Sequence, residues 1–356
     1  IGADPRPASS SFADSAYPAH LMRKVVIAKA GGYERLKVEE HPDPVPGPGE
    51  VLVEVDAIGV NFADCIIRMG LYESAKEYVG WPITPGFEVA GRNAATGEPV
   101  IAVTRFGGYA SQLVVPAHQV FPLPAGWSPE QGAGFPTVFH TAWYAYSECA
   151  AVRPGQAVLI HSAAGGVGSA LLQLARRDGV GSLGVVGASH KVETARRLGA
   201  SEVVDRSTEE LWPAIERHAP EGFHAVFESS GVATLKESYR HLRPTGRLVV
   251  FGHATMLPRG GSGKPSWLTL AWNFLRMPRF NPLFMTNDNK SVMAFNLSYL
   301  FDEQEVLERA MGELLDSVAQ GALFPPEYTR YPLDRVADAH RDLESGSTTG
   351  KLVLVP

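Results

Sequence analysis

The segment VLIHSAAGGVGSALLQLA, residues 158–175, decides the fold of this chain. It combines a short apolar strand, a glycine-rich turn and an apolar helix pattern. Within the turn, Ala163, Gly165 and Gly168 have the spacing of the G-x-G-x-x-G dinucleotide fingerprint, with alanine in the first position. Gly165 lets the backbone approach a pyrophosphate at the positive end of the helix, and Gly168 permits close packing of helix on strand. The segment predicts a nucleotide-binding turn, and a tight turn without a ligand is the simpler alternative.

After residue 135 the sequence alternates between strand and helix patterns, beginning with an aromatic helix predicted over residues 138–150. The predicted strands cover residues 157–161, 183–187, 202–205, 224–228, 247–251 and 292–297. Strands that alternate with helices form parallel βαβ units, and about six such strands make a doubly wound sheet. The expected fold class is therefore α/β, with a Rossmann sheet.

The sequence before residue 135 consists of short β-branched runs separated by glycine and proline. These runs cover residues 24–29, 36–41, 51–60, 100–103 and 109–115. Short strands of this kind pack as a partly open β-barrel. Two helices over residues 303–320 and 333–343, followed by a strand over residues 351–355, are expected to return to this first unit.

Length and composition agree with two domains, because 356 residues with 45% hydrophobic and 20% charged side chains are typical of a soluble globular protein of that size. The predicted units are a flexible tail (1–20), a catalytic domain (21–134), a nucleotide-binding domain (135–300) and a return segment of the catalytic domain (301–356). The formal net charge of −6 lacks the basic excess that a phosphate backbone requires. No nucleic-acid partner is expected.

The cysteine content favours a reducing, cytoplasmic compartment, since Cys65 and Cys149 alone are too few for a disulfide framework or a structural zinc site. Residues 1–20 lack the charged start and apolar run of a signal peptide. The most apolar later stretch, residues 267–285, is interrupted by two arginines and two prolines. No membrane span is expected.

The end of the second Rossmann strand bears on the choice of cofactor. About twenty residues after the glycines, NAD enzymes carry an acid that binds the ribose hydroxyls. Here the sequence is GASHK, residues 187–191, with no acid. Ser189, Lys191 and the later Arg206 offer donors and positive charge to a 2′-phosphate, which predicts NADPH. The alternative is that both cations are ordinary solvated charges.

The segment 158–175 resembles the nucleotide-binding signature of the quinone oxidoreductase and zeta-crystallin branch of the medium-chain dehydrogenase/reductase superfamily. The upstream motifs GVNFAD (59–64), GLY (70–72) and PGFEVAG (85–91) resemble that branch in the same order. The C-terminal motifs FNLSYL (295–300) and GKLVLVP (350–356) resemble its synaptic-vesicle membrane protein subgroup. The resemblance implies a GroES-like, chaperonin-10-like catalytic domain interrupted by a Rossmann domain.

The resemblance also implies where cofactor and metal would bind. In the zinc dehydrogenases of the superfamily, metal ligands fall where this chain has Asn61 and Phe87, which do not ligate zinc, so no metal is expected. The residues implied for the cofactor are Thr137, Ala164, Gly165, Gly166, Val167, Gly168, Ser189, Lys191, Arg206, Ser230, Gly231, Phe251, Gly252, Phe295, Leu297 and Lys351.

Two residues are candidates for the chemistry itself. Asn61 follows a strand that leads towards the cleft in the family fold, so its amide is predicted to donate a hydrogen bond to a substrate carbonyl. The equally weighted alternative is a helix N-cap. Tyr72 is the second candidate, as proton donor or stacking partner, and a structural tyrosine is the alternative. Asp64, in the first helical turn, fits a helix-dipole partner better than a general base.

The function expected from these observations is hydride transfer from NADPH to an activated C=C or C=O group of a small-molecule substrate: a quinone, an enone or an alkenal. Two alternatives stay open, a nucleotide-binding adaptor with little turnover and a pathway-specific enoyl reductase. The apolar run over residues 292–301 would leave an exposed strand edge, which predicts a homodimer.

Overall fold

The computed structural model describes residues 21–256 and 262–356, so the predicted tail over residues 1–20 lies outside the described residues. The first part of the chain is rich in strands. They are β1 (Leu21–Val26), β2 (Lys37–Pro42), β3 (Glu50–Val60), β4 (Glu88–Asn93), β5 (Pro99–Val103), β6 (Gln112–Pro116) and β7 (Val120–Pro122). Its helices are α1 (Phe62–Arg68), α2 (Glu73–Tyr78) and α3 (Pro129–Ala133).

The middle of the chain alternates between strands and helices, as predicted. Its strands are β8 (Ala157–Ile160), β9 (Gly181–Val186), β10 (Glu202–Asp205), β11 (Phe223–Glu228), β12 (Leu242–Val250) and β13 (Ser291–Ala294). Its helices are α4 (Pro136–Trp143), α5 (Gly166–Arg177), α6 (Val192–Arg197), α7 (Leu211–His218), α8 (Leu235–Arg240), α9 (Trp267–Arg276) and α10 (Pro282–Asp288). The chain ends with α11 (Gln304–Ala319), β14 (Tyr328–Pro332), α12 (Val336–Ser345) and β15 (Lys351–Val355).

The Rossmann unit is a six-stranded parallel sheet with the order β10-β9-β8-β11-β12-β13. The order runs outwards from β8 in both directions, which is the doubly wound arrangement. Leu171, Leu172 and Leu174 on α5 are fully buried, and each such side chain contributes about 1.5–3 kcal/mol of hydrophobic free energy. The predicted doubly wound sheet is confirmed.

A second, largely antiparallel sheet holds the first part of the chain together. Its order is β14-β15-β3-β4-β5-β7, with β6 also paired to β3. The terminal strand β15 runs antiparallel to β3, with Leu352 opposite Val60. The last residues therefore join a sheet built mainly by residues 50–122. The domain boundaries given above stay a prediction.

Several elements differ from the sequence-based expectation: β4, β7 and β14 were not predicted, and β12 begins at Leu242 instead of residue 247. β13 ends at Ala294 instead of residue 297, because the side chain of Asn296 accepts a hydrogen bond from the Ser298 backbone and starts a short 3-10 helix, Leu297–Asp302. The helix predicted over residues 138–150 begins as α4 and continues as a π-helix, Tyr144–Cys149. Among the described residues, every helix is too short or too polar to cross a lipid bilayer.

Candidate active site

The carboxyl ends of the parallel strands lie along one edge of the Rossmann sheet, where open α/β sheets bind their ligands. The glycine-rich turn follows β8, and Ser189 follows β9. Arg206, Ser230 and Phe251 come after β10, β11 and β12, respectively. The topology therefore brings most of the predicted cofactor residues to a single edge.

The fingerprint turn has the geometry that its sequence predicts. Gly165 is the N-cap residue of α5, so the amides of the first helical turn point out of the loop. A Cβ at Gly168 would lie 2.3 Å from the Ser162 carbonyl oxygen, so only glycine allows the helix to pack this closely on the strand. A helix start of this kind holds a phosphate through backbone N–H groups and the helix dipole.

The predicted 2′-phosphate region contains the expected cations. A Cβ at Gly187 would be 3.4 Å from the Arg206 guanidinium. The pKa of Lys191 is lowered, mainly by burial and also by the positive charge of Arg206. The Lys191 ammonium donates hydrogen bonds of 2.6 and 2.7 Å to the carbonyl oxygens of Gly346 and Thr348. Lys191 and Arg206 therefore lie together, and Lys191 is held by the return segment.

A carboxylate also lies in this region, and the sequence reasoning missed it. Asp205 ends β10, and its Oδ2 accepts a hydrogen bond of 2.6 Å from the hydroxyl of Ser189. Hydrogen bonds from Ser189 and Ser207, which stabilise the charged form, hold the pKa of Asp205 low against the opposing effect of burial. The acid of NAD enzymes is expected at the end of β9, whereas Asp205 ends the neighbouring strand β10. The Ser189 hydroxyl thus already has an acceptor.

A buried polar network surrounds Lys351 at the start of β15. Its ammonium donates three hydrogen bonds, to the Val60 carbonyl oxygen (2.9 Å), Asn61 Oδ1 (2.7 Å) and Glu88 Oε1 (2.7 Å). The Asn61 Nδ2 atom donates to the same Glu88 oxygen at 2.9 Å. Because an ammonium is only a donor, it fixes the amide of Asn61 with its oxygen towards Lys351. One of the two amide hydrogens is then left for another acceptor.

Asn61 occupies the N-cap position of α1 and forms a capping box with Asp64, so the predicted helix-cap role and the contact with Lys351 occur together. In this box Asp64 Oδ2 accepts a hydrogen bond of 2.8 Å from the Asn61 backbone N–H. Asp64 also accepts from the Tyr109 hydroxyl and the Gly86 backbone, and it is fully buried. Burial raises the pKa of Asp64 to about 7. Asp64 is thus held by hydrogen bonds at the start of α1, and the Asn61 side chain contacts Glu88 and Lys351.

The network is attached to the fingerprint turn through the end of the chain. Gly165 and Gly350 form an isolated parallel bridge, and the Gly350 N–H donates to the Ala164 carbonyl oxygen at 3.2 Å. A Cβ at Gly166 would lie 3.4 Å from Lys351 Cδ and 2.8 Å from a methyl carbon of Val138. The nucleotide loop and the Lys351 network are therefore immediate neighbours.

Glu88 is the functional candidate that sequence analysis did not identify. It is fully buried, and its second oxygen accepts a hydrogen bond of 2.7 Å from the Thr137 backbone. A Cβ at Gly59 would be 2.4 Å from Glu88 Oε1, so a glycine is needed there to make room. The signal was present in the motif GFEVAG, because a carboxylate inside an apolar strand requires a buried partner.

Tyr72 lies outside this network, in an aromatic cluster. Its ring makes edge contacts with Phe87 and Phe106 at centroid distances of 6.0 and 6.4 Å. Its hydroxyl donates a hydrogen bond of 2.7 Å to Asn296 Oδ1, and burial raises its pKa. Tyr72 is neutral at physiological pH and already has an acceptor, and it is not among the residues that contact Lys351.

The remaining predicted cofactor residues follow the carboxyl ends of β11, β12 and β13. The Ser230 and Gly231 backbones donate to Oε1 of the buried Glu228, which fixes the turn after β11. The ring centroids of Phe251 and Phe295 are 6.3 Å apart. Gly252 packs against Ser229, and Leu297 begins the 3-10 helix that follows Phe295.

The zinc position of the related dehydrogenases does not fit a metal in this chain. Asn61 and Phe87 supply no thiolate or imidazole, and the Lys351 ammonium lies 2.7 Å from the Asn61 oxygen, where it would repel a cation. Elsewhere in the described residues, possible ligand atoms of Cys65, His340 and Glu344 lie within 4.8 Å of one another. There the Arg68 guanidinium already neutralises Glu344 at 2.8 Å.

Comparison with known proteins agrees with this architecture. A family model for the alcohol dehydrogenase GroES-like domain matches residues 47–125, and one for zinc-binding dehydrogenase matches residues 198–354. The synaptic vesicle membrane protein VAT-1 homolog of Rattus norvegicus is 32% identical over 100% of this chain and 89% of its own length. Quinone oxidoreductase of Homo sapiens is 30% identical over 94% of this chain and 98% of its own length.

Among solved structures, the quinone oxidoreductase of Escherichia coli complexed with NADPH matches with a TM-score of 0.80 at 28% identity, over 94% of this chain and 100% of that one. The chain therefore belongs to the medium-chain dehydrogenase/reductase superfamily. Within it, the chain falls in the branch of the quinone oxidoreductases and VAT-1 homologues. The expected family and the expected combination of a Rossmann sheet with a GroES-like domain are confirmed.

Proposed function

We propose that this protein is an NADPH-dependent oxidoreductase that reduces an activated C=C or C=O group of a quinone, an enone or an alkenal. Membership of the branch and an NADPH complex of a neighbour with a TM-score of 0.80 support the cofactor and the reaction class. The observation that carries the proposal is the contact between the nucleotide loop and the Asn61–Glu88–Lys351 network. It brings an orienting site for a dinucleotide next to a buried hydrogen-bond donor.

The chain's own contribution is binding and electrostatic stabilisation. NADPH supplies the hydride, and the fingerprint turn, Lys191 and Arg206 are the residues that would hold it. Asn61 presents its remaining amide hydrogen to the oxygen that gains negative charge. A preorganised donor of this kind typically accelerates such a reaction by about 10²–10³-fold. Glu88 and Lys351 are positioning residues, because they fix the orientation of the Asn61 amide.

Lys351 has a smaller direct role than the sequence suggested. All three of its hydrogens are donated within the protein, so contact with the cofactor would require one of these bonds to break. Tyr72 is the second candidate for a proton donor or a substrate contact. Its aromatic surroundings favour a flat conjugated substrate, and its hydroxyl would first have to leave Asn296.

The test of the proposal is NADPH oxidation by the purified protein with a panel of quinones, enones and alkenals. Turnover with at least one class, unchanged after treatment with a chelator, is the expected result. Tight NADPH binding without turnover on any substrate would favour the nucleotide-binding adaptor, and strict selectivity for an enoyl thioester would favour a pathway-specific enoyl reductase. Stoichiometric zinc in the active protein would overturn the metal-independent reaction.

A homodimer is proposed from the edge of the Rossmann sheet. β13 is the outer strand of that sheet and pairs only with β12 within the described part of the chain, and Met293 on it is exposed. A second copy pairing with this edge would satisfy the free backbone groups. A solution mass corresponding to a monomer at micromolar concentration would contradict this. The cytoplasmic location stays a prediction.

A further inference from the structure

Asp205 places a carboxylate beside the residues that are expected to hold a 2′-phosphate. It ends β10 and is 7% exposed. Its Oδ1 atom accepts hydrogen bonds from the backbone N–H of Ser207 at 2.9 Å and from the Ser207 hydroxyl at 2.6 Å. Burial opposes ionisation of Asp205, but the hydrogen bonds from Ser189 and Ser207 outweigh it and lower the pKa. The carboxylate is therefore charged at neutral pH.

The hydrogen bond between Ser189 and Asp205 decides what Ser189 can offer to a ligand. A serine hydroxyl has one hydrogen and two lone pairs, and a carboxylate is only an acceptor. The hydrogen of Ser189 therefore points to Asp205 Oδ2, 2.6 Å away, and Ser189 Oγ presents its lone pairs to any other group. A ribose 2′-hydroxyl, as in NADH, can donate to these lone pairs. A 2′-phosphate carries about −1.5 to −2 charges at pH 7 and is repelled by them.

Lys191 and Arg206 have the opposite preference. The Lys191 ammonium donates two hydrogen bonds to the carbonyl oxygens of Gly346 and Thr348, so one of its three hydrogens remains for a phosphate. Arg206 directly follows Asp205 in the sequence. The two cations attract a 2′-phosphate, whereas the Asp205 carboxylate and the Ser189 lone pairs favour a hydroxyl. Opposing preferences thus meet at the ends of β9 and β10.

We propose that Asp205 is a specificity-determining residue that limits the preference for NADPH, so that the protein also binds NADH. The inference rests on the proposed function, because it concerns the cofactor of that reaction. Asp205 acts through its charge and through the orientation of the Ser189 hydroxyl, and it needs no contact with the cofactor. A purely structural role of Asp205 in the turn with Ser207 predicts no effect on the choice between the two cofactors.

The experiment is titration of the full chain with NADPH and with NADH, which measures both Kd values without turnover. The original protein should bind both cofactors. Asp205→Asn should raise the preference for NADPH by about tenfold or more, because the repelling charge is lost and the new amide can donate to Ser189. The Ser189 hydrogen is then free for the phosphate. The Asn side-chain oxygen can still accept from Ser207, so this variant keeps the local fold.

Ser189→Ala gives a second test, in which the two roles of Ser189 predict opposite signs. As an acceptor, Ser189 supports NADH, so its loss should weaken NADH binding by about three- to tenfold and NADPH binding hardly at all. As a donor to the 2′-phosphate, its loss would weaken NADPH binding instead. In the Asp205→Asn background Ser189 becomes a donor, and there Ser189→Ala should weaken NADPH binding.

The matched control is Glu202→Gln, which removes an exposed acid from the start of the same strand. It should leave the ratio of the two Kd values unchanged, and thermal unfolding should show that all variants are folded. An unchanged ratio in Asp205→Asn, or weaker NADPH binding in Ser189→Ala alone, would overturn the inference and leave the proposed function intact. Failure of the original protein to bind NADPH would overturn the proposed function and this inference with it.

Discussion

Two buried ion pairs connect the C-terminal part of the chain to its beginning, and they differ in how completely they are hydrogen-bonded. Lys351 on β15 pairs with Glu88 on β4, and all three ammonium hydrogens have acceptors. Arg68 on α1 pairs with Glu344 on α12 at 2.8 Å and lies over the Tyr33 ring. Its Nε and Nη1 atoms have no hydrogen-bond partner within the described part of the chain.

The difference shows that burial and charge alone do not identify an active site. Both pairs are fully or almost fully buried, and both link segments more than 250 residues apart. Only the Lys351 pair lies beside the nucleotide loop and orients the Asn61 side chain, which keeps one amide hydrogen free for another acceptor. We therefore propose a functional role for the Lys351 pair and a structural role for the Arg68 pair.

The largest expected effects come from breaking each pair. Lys351→Met and Arg68→Met should each lower the free energy of unfolding by about 3–5 kcal/mol, because a carboxylate is left buried without its counter-charge. Chemical denaturation measures this loss. Turnover per folded molecule should collapse in Lys351→Met and persist in Arg68→Met.

A double variant distinguishes a folding defect from a catalytic one. Lys351→Met combined with Glu88→Gln removes both charges and should regain most of the lost stability without regaining turnover. Recovery of full turnover in this double variant would show that the network has no part in positioning Asn61.

The next largest effect concerns the donor itself. Asn61→Ala should lower kcat by about a hundredfold, because a single preorganised donor to the developing negative charge is removed. NADPH affinity should hardly change. Stability should fall by about 1–3 kcal/mol through the lost hydrogen bonds to Lys351 and Glu88. An unchanged kcat with reduced stability would make Asn61 a purely structural residue.

Cofactor selectivity should respond to Lys191. Lys191→Ala should weaken NADPH binding by about ten- to a hundredfold and NADH binding much less, since the lost contact is charge-assisted and specific to the 2′-phosphate. Titration of both cofactors measures the ratio. Lys236→Ala, which removes an exposed charge from α8, is the control. An equal loss for the two cofactors would assign Lys191 only to its bonds with Gly346 and Thr348.

A further expected effect is a pH dependence of stability due to Asp64. Burial raises the pKa of this carboxyl to about 7, whereas in the unfolded chain it titrates near 3.8. Between these two pH values the folded state therefore binds more protons than the unfolded state. The Asp64 contribution to the free energy of unfolding is lost as the pH rises through about 7, by at most about 1.4 kcal/mol per pH unit. Asp64→Asn should lack this slope.

Denaturation of both proteins across this pH range measures the difference. Burial lowers the pKa of the nearby His340. The contribution of His340 therefore makes the free energy of unfolding decrease as the pH falls, whereas that of Asp64 makes it decrease as the pH rises. That effect is common to both proteins and cancels in the comparison. Parallel stability curves would contradict a raised pKa of Asp64.

The fold could be predicted because its signals are local. The glycine spacing, the alternation of strands and helices, and the strands over residues 202–205 and 351–355 follow from neighbouring residues in the sequence. The site was predicted only in part, because Asn61 belongs to a motif whereas the roles of Glu88 and Asp205 depend on partners brought together by folding. Glu88 accepts a hydrogen bond from Lys351, 263 residues further along the chain. Asp205 at the end of β10 accepts one from Ser189, which follows β9.

The backbone bridge between Gly165 and Gly350 holds the glycine-rich loop against the end of the chain. It joins the predicted phosphate-binding turn to the strand that holds Lys351. Gly350 has a φ of 66°, and a Cβ at this residue would lie 2.2 Å from the Glu327 carbonyl oxygen. The bridge therefore sets the distance between the glycine-rich loop and the strand that carries Lys351, whose ammonium donates to the Asn61 side-chain oxygen.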